Sequence, residues 1–293
     1  MKICPTCLSP VAASWACERC GYRPRSEGNL LILAPHLLGS GGVFPRESFA
    51  RLAALEERNY WFRARNRLIV WALRRHFSRL RSFLEVGCGT GCVLGAVEAA
   101  FPGAAALGSE AHVEGLECAA RRLQRSGLLQ MDAANIPFRD EFDVVGCFDV
   151  LEHIEDDRRV LGQCFLASLA GGGIILTVPQ HPFLWSATDE YAGHVRRYTR
   201  REIVGKVAAA GFSPLLVTSF VSLLFPVLAA ARRRHRRVHA GYDPGAELEV
   251  GRIPNLLLEL ALDLERQLIR LGVRFPFGGS LLVVAKKPHV DPV

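Results

Sequence analysis

From Ser82 onward seven short apolar runs punctuate the chain: SFLEVG, AAALGSE, LLQMD, FDVVGCF, GIILTVP, SPLLVTS and SLLVVAKK. Between most of them, over 91–101, 112–126, 155–170 and 200–210, apolar residues recur every third or fourth position. Strand pattern alternating with helix pattern predicts an α/β domain with a parallel sheet and helical crossovers. Thr199 and Glu202 supply a capping box for the last of these helices. Upstream, PRESFARLAALEERNYWFRARNRLIVWALRRHF reads as one or two helices with Pro45 near the start. Trp61 and Phe62 are read there as helix packing rather than a substrate lid. Residues 29–43 read as a linker, so 29–80 is expected to be linker and N-terminal helices, followed by one domain over 81–293.

The run PLLVTSFVSLLFPVLAAA, 214–231, carries no charge and just reaches membrane-spanning length. Its first third is needed as the sixth strand, and Pro226 interrupts the remainder. A helical, apolar insertion over 221–278 is therefore expected instead of a span. PNLLLELALDLERQLIRLG, bounded by Pro254 and Gly272, reads as a helix with a wide apolar face. That face must pack on the domain, a twin subunit or a lipidic acceptor.

Composition adjusts this picture in two places. The net charge of +7 comes almost entirely from arginine, since only Lys2, Lys206, Lys286 and Lys287 are lysine. With the abundant Ala, Gly and Leu, this reads as a GC-rich genome and is weak evidence for nucleic-acid binding. The run Arg232, Arg233, Arg234, Arg236 and Arg237 is a local patch, and with 221–231 it suggests peripheral contact with an anionic membrane surface through 221–237. The cysteines are the second place. No apolar leader follows MKICPTC, so the nine cysteines are expected to be cytoplasmic thiols and metal ligands. Cys4 with Cys7 and Cys17 with Cys20 form two C-x-x-C knuckles, the spacing of a tetrahedral zinc ribbon over 1–28. An iron site or a metal-free knuckle would carry the same letters. Such ribbons serve RNA, protein and scaffolding alike, so the ribbon names no partner.

FLEVGCGTGCVLG is a buried strand, a glycine loop and a helix. Gly87, Gly89 and Gly91 let a ligand approach the backbone, but Cys92 stands where a dinucleotide fingerprint wants its third glycine. Glu85, just before the loop, would repel a pyrophosphate. It suits a ligand that carries an ammonium and a sulfonium, as S-adenosylmethionine does. Glu110, at the end of the next strand, is placed to accept both ribose hydroxyls, and Asp132, at the end of the third, to accept from an adenine amino group.

LEVGCGTG, Glu110, DAANIPF and FDVVGCFDVLEHI together resemble the class I S-adenosylmethionine-dependent methyltransferases, especially the ubiquinone-biosynthesis branch. The resemblance covers roughly residues 80–220 and the final strand; the usual aspartate at the second strand is here Glu110. It implies a Rossmann-like, seven-stranded, mostly parallel sheet with an antiparallel last strand. It also implies cofactor contacts from Glu85, Gly87, Gly89, Gly91, Glu110, Asp132 and Phe148, and methyl transfer to an acceptor.

The loop PQHPFLWSATDEYAGHVRRYTRRE should lie at the ligand edge, with His181 and His194 as candidate bases and Asp189 to orient one of them. In DVLEHIEDD, Asp149 and His153 should face the donor, while Glu155, Asp156 and Asp157 read as a negative first helical turn. Asp149, Glu152 and His153 also resemble a family motif that holds a divalent cation, with His194 completing the set. The apolar insertion favours a small hydrophobic or lipid-linked acceptor, O- or C-methylated. The alternatives are a ribosomal RNA methyltransferase that reads RNA through the ribbon, or a relative that binds the cofactor without turnover.

Overall fold

The computed structural model describes residues 1–28, 30–38, 48–234 and 249–289. Its sheet runs β1 Arg25–Glu27, β2 Leu30–Ile32, β5 Gly127–Gln130, β4 Ala105–Glu110, β3 Ser82–Val86, β6 Phe142–Phe148, β7 Ser168–Pro179, β9 Ser280–Lys286 and β8 Ser213–Phe220. Strands β5 to β7 pair in parallel, and β9 is antiparallel to both β7 and β8. This is the expected Rossmann-like core of seven strands. It is extended by two short strands, β1 from the end of the stretch read as the ribbon and β2 from the stretch read as linker: β2 pairs parallel with β5, and β1 antiparallel with β2.

Helices cover both faces, which is why the central strands read as unbroken apolar runs. Helix α2 Tyr60–His76, α3 Cys92–Ala100, α4 Val113–Arg122 and α9 Arg252–Arg270 bury Leu68, Leu73, Leu94, Leu116, Leu262 and Ile269 against one face. On the other, α5 Asp157–Ala167 and α7 Arg200–Ala209 bury Val160, Leu161, Ile203 and Val207. The shorter α1 Ser48–Glu56, α6 Ala187–Ala192 and α8 Phe225–Arg234 lie in the connections. Pro226 sits in the first turn of α8, where its missing N–H costs nothing. No helix among the described residues is long and apolar enough to cross a membrane. Residues 235–237 of the arginine run lie outside the described residues.

The cysteine-rich segment folds against the domain. Lys2 bridges Phe138, Ile3 N donates to Pro137 O at 3.0 Å, and the Asn135 amide donates to Pro5 O at 3.2 Å. Trp15 is buried and meets Phe138 edge-on at 5.4 Å. The ribbon is thereby part of the same core and braces the loop after β5.

Asp156 caps α5, as its acidic start predicts, accepting from Arg159 N at 3.0 Å. Asp157 does more. Its buried carboxylate accepts from Tyr198 Oη at 2.7 Å and Lys206 Nζ at 2.6 Å, and pairs with Arg196 at 2.9 Å. Those bonds pin the base of the loop that carries His194. Burial alone would push this carboxyl up, but the bonds from Lys206, Tyr198 and Arg196 outweigh it and hold it below the ordinary aspartate range. The unfolded chain therefore takes up the proton first as pH falls. Stabilisation by Asp157 is present above roughly pH 3.9 and fades as pH drops through the lower folded value. Asp157→Ala should cost about 3–5 kcal/mol at pH 7, because Lys206 and Arg196 lose their buried partner. Thermal melts should show the wild type and Asp157→Ala converging in acid.

Candidate active site

A single cavity of about 1040 Å³ opens at the carboxyl ends of β3, β4, β5 and β6. Glu85, Gly87, Gly89, Glu110, Asp132 and Phe148 line it together. Gly91 does not; it caps α3 in a left-handed conformation at φ +75°. Gly87 holds φ +69°, and a Cβ there would lie 2.5 Å from Val150 Cγ2. A side chain at 87 is excluded by both backbone and space.

Glu85 is buried and one of its oxygens has no partner. Burial pushes its carboxyl well above the usual range; Arg65 opposes this, while Glu56 and Glu110 add to it. A buried acid with an orphaned oxygen calls for a cationic ligand group. Glu110 is held in place by N–H groups: Gly89 N at 3.0 Å, Ala111 N at 2.8 Å and His112 N at 3.1 Å. Asp132 accepts from Ala134 N at 2.8 Å, and His36 Nε2 lies 3.6 Å from its other oxygen. This donor set fits S-adenosylmethionine: a buried acid for the ammonium and an oriented carboxylate for the ribose.

Two parts of the site were invisible in the sequence. Helix α1 roofs the cavity with Phe49, Leu52 and Leu55, and is tied down through Glu56. Glu56 accepts from Thr90 Oγ1 on the glycine loop and from Arg122 Nη1 at 2.6 Å. The second part is Arg65, which stacks over Trp61 at 4.5 Å and pairs with Asp149 at 2.5 Å. Trp61 and Phe62 both line the cavity while also packing against each other, so the packing reading describes half of what they do. No local pattern announces these pairs, because their partners are 34 to 84 positions apart.

His194 and His153 also line the cavity, their rings edge-on at 4.7 Å. Asp189 lies 2.8 Å from His194 Nδ1 and accepts from Arg197 Nε at 2.7 Å and Ser186 N at 2.9 Å. Burial pushes the Asp189 carboxyl up, yet its bond to His194 and the nearby arginines hold it at about 2. An ionised Asp189 only accepts, so Nδ1 of His194 donates to it, which leaves Nε2 as the nitrogen that faces away from the carboxylate. Burial, with His194 alongside, pulls the His153 imidazole down to about 4. His181 is placed elsewhere. It does not line the cavity but packs among Phe183, Phe225 and Phe277 at 4.9–5.6 Å. Glu152, His153 and His194 bring ligand atoms within 4.8 Å of one another. Asp149, expected in that set, is taken by Arg65 instead.

At the ribbon, the four sulfurs of Cys4, Cys7, Cys17 and Cys20 also lie within 4.8 Å of one another, with Cys4–Cys20 at 3.6 Å and Cys7–Cys17 at 3.5 Å. Metal–sulfur bonds of about 2.3 Å give a tetrahedron with edges of about 3.8 Å, so the four fit one zinc ion.

Comparison with known proteins agrees with this geometry. Residues 84–176 match the methyltransferase domain family. A probable S-adenosylmethionine-dependent methyltransferase of Mycolicibacterium smegmatis is 27% identical over 164 residues, covering 55% of this chain and 62% of that protein. A ubiquinone biosynthesis O-methyltransferase of Psychrobacter arcticus is 30% identical over 111 residues, covering 35% of this chain and 42% of that protein. The matches thus span less than two thirds of either relative. Among solved structures, an O-methyltransferase family protein from Burkholderia thailandensis superposes with a TM-score of 0.53 at 13% identity, covering 87% of this chain and 67% of that one. The [4+2]-cyclase SpnF also gives 0.53, at 18% identity, covering 78% of this chain and 84% of that one. These likenesses concern the fold alone. The fold is similar to that of known methyltransferases, and the matched segment contains Glu85, Glu110 and Asp132.

Proposed function

We propose that the protein transfers a methyl group from S-adenosylmethionine to an oxygen of a small apolar or lipid-linked acceptor. The observation that carries this reading is the composition of this cavity. Its cofactor end is lined by Glu85, Gly87, Gly89, Glu110 and Asp132, and its other wall by Val221, Leu224, Val227, Leu228 and Leu258. When bound, the cofactor supplies a sulfonium methyl, an electrophile open to in-line displacement.

The remaining work falls to the chain. Glu85 takes the ammonium and Glu110 the ribose hydroxyls. Helix α1, held by Glu56, keeps water from the reacting atoms. Nε2 of His194 receives the acceptor proton, with Asp189 fixing the tautomer and stabilising the imidazolium that forms. Arg65 holds Asp149 beside the donor. At the ribbon, Cys4, Cys7, Cys17 and Cys20 hold one structural zinc ion. A second reading for the base is favoured by the convergence of Glu152, His153 and His194: one divalent cation could polarise the acceptor oxygen. Chelation that abolishes turnover with the ribbon zinc retained would decide for the cation.

The function is tested by incubating the protein and S-adenosyl-[methyl-³H]methionine with a bacterial lipid extract and, separately, with total RNA. Label is expected in the organic phase. Label in RNA alone would overturn the acceptor reading. His194→Ala should slow transfer by about 10²- to 10⁴-fold while cofactor affinity stays close to wild type.

A further inference from the structure

Among the described residues, nothing covers an apolar stripe on helix α9. Ile253, Leu256, Leu257, Leu260, Leu264 and Leu271 are each more than half exposed, between 55% and 83%. They recur at three- and four-residue steps, opposite the buried Leu262, Glu265 and Ile269. A continuous apolar face of this kind marks an interaction surface.

A basic pocket lies beside it. Between α2 and α9, a concavity of about 490 Å³ is lined by Arg67, Arg74, Arg75, Arg266, Arg270 and Trp71. None of these six lines the cofactor cavity. Asp263 faces Arg67 and Arg266 at 3.0 and 3.2 Å, and Glu259 takes Arg67 at 2.8 Å. Arg75 and Arg270 are exposed, and neither has an ion-pair partner among the described residues. Five guanidinium groups against two carboxylates leave the pocket positive and shaped for an anion such as a phosphate.

We infer that α9 docks on an anionic phospholipid bilayer. The stripe enters the acyl boundary, and the arginine pocket receives a lipid phosphate. Two observations favour this occupant over a second copy of the chain. Arg266 and Arg270 put the pocket on the same helix as the stripe, the arrangement of an interfacial helix. Leu258 of α9 also lines the acceptor cavity, as does Val227, which is 66% exposed. The helix that carries the stripe thus also forms part of the cavity wall. Docking itself rests on α9 and the pocket and is read without any methyl transfer, so it can fail independently of the proposed activity.

The test is flotation of the full chain with vesicles of phosphatidylcholine alone or mixed with phosphatidylglycerol. Binding to the anionic vesicles is expected to be at least tenfold tighter and to weaken with salt. Arg75→Ala and Arg270→Ala should each cost about fivefold. Leu257→Ser with Leu264→Ser should cost tenfold or more, at an unchanged melting temperature, since both side chains are already exposed. Arg75 lies outside α9, so its variant remains informative if the leucine pair misfolds. Absence of vesicle binding overturns the inference, as do arginine and leucine variants that all bind like wild type. A dimer in sedimentation equilibrium that the leucine pair dissociates, without vesicle binding, assigns the stripe to a second copy and also overturns it.

Discussion

Gly87→Ala is expected to remove measurable binding of S-adenosylmethionine and to lower the melting temperature. Position 87 is left-handed at φ +69°, and the added Cβ would stand 2.5 Å from Val150 Cγ2. The backbone cost is about 1–2 kcal/mol and the overpacking about 1–3 kcal/mol. Val150 can move only by shifting its neighbour Asp149, itself at φ +55° and paired with Arg65. Relief must therefore come from the glycine loop, next to Glu85. A displacement of about 1 Å there is enough for a loss of about a hundredfold or more. Titration calorimetry and thermal melts measure both effects. Gly162→Ala is the control: it sits in α5 with open space at its Cβ and an ordinary helical backbone, so it should leave cofactor binding unchanged and raise the melting temperature slightly.

Replacing Cys4 and Cys17 with serine is expected to release one zinc ion per chain and to loosen more than the ribbon. A ribbon of this size owes its fold to the metal, and binding energies in comparable peptides are about 10–16 kcal/mol. Here Trp15 carries the loss inward, since it is buried against Phe138 in the domain core. The loop from Asp132 to Phe138 is braced by Ile3, Pro5 and Trp15. Cofactor affinity should therefore fall along with the melting temperature, and Trp15 should become solvent-exposed by fluorescence. Zinc loss with wild-type cofactor affinity would show that the ribbon is an independent appendage.

The contrast between these two regions shows what could be read in the sequence. The seven core strands were legible because each is a short apolar run, and four of them, β3 to β6, run into an acid or a glycine at the ligand edge. The same pattern put Glu85, Glu110 and Asp132 at successive strand ends. Strands β1 and β2 were illegible because RSE is polar, and LLI gains its role only by pairing with β5, far along the chain. His181 and His194 looked equivalent in one loop. Three phenylalanines from separate elements surround His181, whereas Asp189 and the cavity engage His194. Arg65, drawn to Asp149 from a helix read as plain packing, had no local signature at all. Spacing within a segment carried what was readable; pairing between distant segments decided the rest.

The central claim, methyl transfer to an apolar acceptor from the pocket built on Glu85 and Gly87, is tested most directly by product stoichiometry. The protein, labelled S-adenosylmethionine and a lipid extract should yield one S-adenosylhomocysteine for each methyl recovered in the organic phase, and Gly87→Ala should yield neither. S-adenosylhomocysteine formed with the label in RNA, or no S-adenosylhomocysteine from wild-type protein that binds the cofactor, would contradict the account.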